Sequence, residues 1–139
     1  LLRGPRERND GQLRADMPGG WSGDAANAFT GTGLNAAQRE AQDYTRALFD
    51  WRKRTSLLHT GKLTHFAPHD GVYVYFRHEG DKAVMVALNK NAGAMSLPLD
   101  RFDGFLRGHG ARDALTGKPV ALGAALQLPA MSATLLEIE

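Results

Sequence analysis

The sequence predicts a mainly β protein: an antiparallel β-sandwich preceded by a long loop and one amphipathic helix. Three observations carry this expectation. An apolar stripe of helical period runs through residues 36–54, the period switches to two after Gly61, and short alternating segments then recur between turn-forming residues. Hydrophobic residues make up 42% and charged residues 23% of the 139, values of an ordinary globular chain rather than a disordered, collagenous or coiled-coil one.

Residues 1–35 are rich in glycine and carry almost no periodic apolar pattern, which predicts a long loop. Loops of that length without support of their own are uncommon. This one contains Trp21 and Phe29, residue types that disordered segments lack, so it is expected to pack against protein outside this sequence.

The helix announces itself at both ends. Asn35 is placed as the N-cap, with Gln38 three residues on to close a capping box. Ala37, Ala41, Tyr44, Leu48 and Trp51 form one stripe at steps of four, three, four and three, and the stripe is expected to pack on protein. The opposite side holds Arg39, Glu40, Asp43, Arg46 and Asp50. Arg52, Lys53 and Arg54 occupy the last turn, where cations complement the helix dipole, so this basic cluster reads as a helix end rather than an anion site.

Beyond Gly61, Val72, Val74 and Phe76 alternate with Tyr73, Tyr75 and Arg77, and Val84, Val86 and Leu88 alternate with Met85 and Ala87. Half-buried antiparallel strands show this pattern. Pro68-His69-Asp70-Gly71 and Glu79-Gly80-Asp81-Lys82 supply hairpin turns. Further strands are predicted near 95–99, 119–122, 125–129 and 132–138, with a single helical turn as an alternative for Arg101 to Leu106.

Several function classes find no support in these residues. The net charge of +2 is too small for a surface dominated by nucleic-acid binding, no apolar run approaches the length of a membrane helix, and neither partner type is expected. There is no Cys, hence no disulfide, thiolate nucleophile or Cys-type zinc site. Gly31-Thr32-Gly33-Leu34-Asn35-Ala36 matches a dinucleotide fingerprint in letters, but turn formers precede it where the fingerprint requires a strand. Of the five histidines, His65 and His69 are four apart, yet Pro68 between them blocks the helical turn that would align two metal ligands. No metal and no cofactor is predicted. Leu1-Leu2-Arg3-Gly4-Pro5 shows neither an initiator Met nor a signal layout, and reads as a start in mid-gene.

Acidic and aromatic side chains remain as candidates. A glycosidase needs two carboxylates with unequal pKa values at a fixed separation. Asp10, Asp16 and Asp24 lie in a loop that cannot fix such a distance, and the simpler expectation is that they cap turns or pair with Arg8 and Arg14. Trp21 is either a loop anchor or a ligand-facing aromatic, and Tyr73 and Tyr75 either cover the sheet or stack on sugar.

From Asp10 through Trp21 the segment DGQLRADMPGGW resembles the end of the α-amylase family, glycoside hydrolase family 13, and most of all its bacterial cyclomaltodextrinase and neopullulanase-like members. The resemblance continues through Asn27-Ala28-Phe29-Thr30, Tyr44, the run from Leu48 to Lys53, Gly61-Lys62-Leu63, the run from Val72 to Arg77, and Val84-Met85-Val86. It implies that residues 1–57 are the end of a catalytic (β/α)8 barrel, with the loop after strand eight and the last helix, and that 58–139 are the antiparallel sandwich called domain C. It implies hydrolysis of α-1,4-glucosidic bonds by the parent, whose missing barrel is the expected partner and an α-glucan or cyclodextrin the expected substrate. The family's catalytic carboxylates match no residue here, so no catalytic residue is assigned and the piece alone is expected to be inactive. Arg14, Asp16 and Trp21 are implied to border the substrate cleft, and Tyr73 and Tyr75 are the sugar-stacking candidates. A non-catalytic carbohydrate-binding or structural module is the alternative, and localisation stays open between bacterial cytoplasm and periplasm.

Overall fold

The computed structural model describes residues 16–139. The chain divides into two compact units that meet in sequence between Phe49 and Asp50, inside a helix.

In the N-terminal unit a chain of turns leads into helix α1, Ala36–Arg54. The capping box forms as predicted: Gln38 N–H donates to Asn35 Oδ1 and Asn35 N–H to Gln38 Oε1, each at 2.9 Å. Two otherwise orphaned donors are thereby satisfied. No strand precedes Gly31 among the described residues, so the fingerprint letters there lack their structural context.

The second unit begins with the last turn of α1 and continues through a short helix α2, Leu57–Thr60. His59 Nε2 lies 2.8 Å from the Arg52 carbonyl oxygen; with that nitrogen protonated it satisfies one of the orphan acceptors at the end of α1. Eight strands follow: β1 Lys62–His69, β2 Val72–Glu79, β3 Lys82–Asn89, β4 Met95–Pro98, β5 Ala111–Asp113, β6 Pro119–Val120, β7 Ala125–Leu128 and β8 Ser132–Ile138. Between β4 and β5 a 3-10 turn, Asp100–Phe102, runs into helix α3, Asp103–Leu106, which realises the helical alternative for that segment.

All strand pairs are antiparallel, in a six-stranded sheet ordered β1-β2-β3-β8-β5-β6 and a two-stranded sheet β4-β7. This is the predicted β-sandwich. Strands β1 and β5 are additions to the predicted set. In β1, Leu63 and His65 alternate with Thr64 and Phe66, a weak contrast, and Pro68 argues against a strand. Pro68 is accommodated because β1 is an edge strand and its register shifts between Phe66 and His69. Three-residue β5 exists through its pairing with β8 and has no periodicity of its own.

The core lies on one face of the large sheet. Val74, Phe76, Met85 and Leu136 point into it and meet Leu128 of β7 together with Phe102 and Leu106 of the helical turns. Aromatic rings set its geometry: Phe76 stacks on Phe105 with centroids 4.3 Å apart, and Phe66 meets Phe102 edge-on at 4.8 Å. The other face is also covered at its centre, since Val84, Val86 and Leu135 are buried as well. That accounts for the unbroken apolar run in β3, of which Ala83 to Ala87 are buried on both faces while Leu88 at the end is exposed.

One buried polar residue ties an end of the sandwich together. Asn89, 3% exposed, donates through Nδ2 to the carbonyls of Gly93 and Pro129 at 3.1 and 2.7 Å, and its Oδ1 accepts from the Asn91 backbone N–H at 3.0 Å. Asn91 in turn donates to the Asp70 carbonyl at 2.8 Å and lies against Gly71, where a Cβ would come within 2.4 Å of Asn91 Oδ1 and φ is +74°. Asn89→Ala leaves these groups without partners and is expected to cost about 1–3 kcal/mol. Urea unfolding monitored by circular dichroism checks it; a loss below about 0.5 kcal/mol contradicts the network's role.

Candidate functional site

The segment from Met17 to Asp24 is a closed turn. Asp24 Oδ2 accepts from the N–H groups of Gly19 at 2.7 Å and Trp21 at 3.2 Å, while the Asp24 N–H donates to the Trp21 carbonyl at 3.2 Å. Asp24 thus caps a turn, the simpler of its two expected roles. Gly19 adopts φ +95°, and a Cβ there would sit 2.6 Å from Asn27 Cγ, so the turn closes on Asn27 only because the side chain is absent. Asn27 holds the next turn in the same manner, its Oδ1 accepting from the N–H groups of Phe29 and Thr30 at 2.9 and 3.0 Å.

These two side chains fix the loop and leave its aromatics outside. Trp21 and Phe29 are each 72% exposed, and Asp16 is exposed too. Arg14 and Asp10 lie outside the described residues. Met17, Pro18 and Ala28 of the loop face Leu34, Ala41 and Phe49 across an open, mostly apolar groove of about 540 Å3. Of the apolar helix stripe Tyr44 is exposed, so within the N-terminal unit the stripe has no complete cover, and Phe49, next to Leu48 in sequence, is exposed as well.

In the sandwich unit Tyr73 and Tyr75 share the face opposite the core, half-buried, with ring centroids 5.7 Å apart and planes 38° apart. His65, paired with Tyr75 across the strands, adds its ring edge-on to Tyr73 at 6.2 Å. The period-two pattern with the β1–β2 register contains this grouping, but the register becomes readable only once β1 is recognised as a strand. The tilt denies the two tyrosines a common plane, and the exposed Leu63 of β1 adds apolar surface on the same face.

The same face carries a contact that the sequence pattern does not reveal. Trp51, 3% exposed, donates its indole N–H to Glu137 Oε1 at 2.8 Å. Glu137 pairs with Val84 on one side and Arg112 on the other, and Arg77 donates to the Leu58 carbonyl at 3.1 Å. Arg112 is held by Glu139, which raises its pKa above the ordinary guanidinium value through a hydrogen bond and its charge. Among the described residues no three His, Asp or Glu side chains converge as a metal-ligand set, and no helix is long and apolar enough to cross a membrane.

Residues 63–137, more than half of the chain, match the family model of the cyclo-malto-dextrinase C-terminal domain. The chain belongs to that family. A cyclo-malto-dextrinase C-terminal domain lies in the C-terminal region of α-amylase-family glycoside hydrolases, in agreement with the resemblance carried by the loop and helix motifs.

Solved structures share the fold of this cyclo-malto-dextrinase C-terminal domain chain. AmyP in complex with maltose superposes with a TM-score of 0.66 at 24% identity, over 77% of this chain and 22% of that one. A trehalulose synthase MutB variant gives 0.65 at 21% identity over 93% of this chain and 26% of that one. An Anoxybacillus α-amylase gives 0.61 at 21% identity, over 77% and 24%. The chain therefore spans about a quarter of the length of the enzymes it matches.

Proposed function

We propose that this chain is the C-terminal part of an α-glucan-acting glycoside hydrolase of cyclomaltodextrinase or neopullulanase type, with the division at 57/58 separating barrel end from sandwich. Its work there is to stabilise the catalytic barrel, while the reacting carboxylates come from upstream sequence. The observation that carries this reading is the family match over residues 63–137. Two features support it. The groove beneath the loop and the half-buried tyrosine face both offer apolar surface of the kind that a neighbouring protein layer covers. The loop carboxylate of Asp24 is occupied in holding its own turn and so is not offered as a general acid or nucleophile.

Reducing-sugar release from β-cyclodextrin, pullulan and soluble starch tests the proposal, comparing the full-length protein with residues 1–139 alone. The full-length protein is expected to hydrolyse at least one of them and the piece none. Hydrolysis by the piece would overturn the structural role. An inactive full-length protein that still bound maltoheptaose in calorimetric titration would favour a carbohydrate-binding module instead, and loss of that heat in a Tyr73→Ala, Tyr75→Ala double variant would locate it.

A further inference from the structure

We draw no further inference here: the strongest candidate, the mostly apolar cleft of about 630 Å3 between strands β1 and β4 of the sandwich, is lined by Arg101 together with Asp70 and Asp100, charges of both signs that select no one class of ligand, and nothing in the structure shows what covers it.

Discussion

Phe76→Ala is expected to destabilise the sandwich by about 3–5 kcal/mol, the range for truncating a fully buried aromatic. Phe76 is 0% exposed, and three other rings depend on it for position: Phe105 stacked at 4.3 Å, Phe102 at 5.9 Å and Phe66 at 6.0 Å. Each such pair contributes about 0.5–1.5 kcal/mol beyond area burial, so the upper part of the range is expected. The cavity would open between the large sheet and the 3-10/α3 turn, against the rings of Phe102 and Phe105. Urea unfolding followed by far-ultraviolet circular dichroism reads the change as a shift in midpoint at constant slope. A loss under about 1 kcal/mol would mean that the aromatic cluster is not the centre of the core.

Trp51→Ala is expected to cost about 3–5 kcal/mol as well, for a different reason. Trp51 belongs to the helix in sequence but to the sandwich in packing, being buried within the unit Asp50–Glu139 and hydrogen-bonded to Glu137 of the last strand. Its removal opens a cavity beside Glu137 and leaves that carboxylate without its indole partner. Trp51→Phe separates the two contributions, keeping most of the apolar area and deleting the N–H donor, and should cost about 1 kcal/mol for the bond together with a smaller packing loss. Calorimetric unfolding of the three proteins checks the order wild type, Phe, Ala. Equal stability of the Phe and Ala variants would mean that the hydrogen bond, and not the burial, makes the larger contribution.

The elements legible in the sequence are those whose signal is local. Asn35 and Gln38 mark the helix start because the capping box is a contact between neighbours, and β2 and β3 show because one or both of their faces are buried throughout their length. Lys62–His69 escapes because an edge strand needs little apolar contrast and tolerates Pro68, and Ala111–Asp113 because its existence depends on β8, far away in sequence. The site follows the same division. The turn around Trp21 is readable from Gly19, Gly20, Gly23 and Asp24, whereas the burial of Trp51 against Glu137 and the edge-on approach of His65 to Tyr73 arise from pairings that no periodicity encodes.

The proline on the outer strand β1 has counterparts at the other margins of the sandwich. Among the described residues four strands have a neighbour on one side only: β1, β6, β4 and β7. Three of them contain a proline, Pro68, Pro119 and Pro98, and Pro129 follows the fourth directly. A proline has no N–H to offer an incoming strand and its ring crowds the approach. Strand addition, the characteristic hazard of open sheets, is therefore resisted within β1, β4 and β6, while Pro129 limits extension beyond β7. The sandwich thus keeps most of its sheet margins closed to the sheets of another copy.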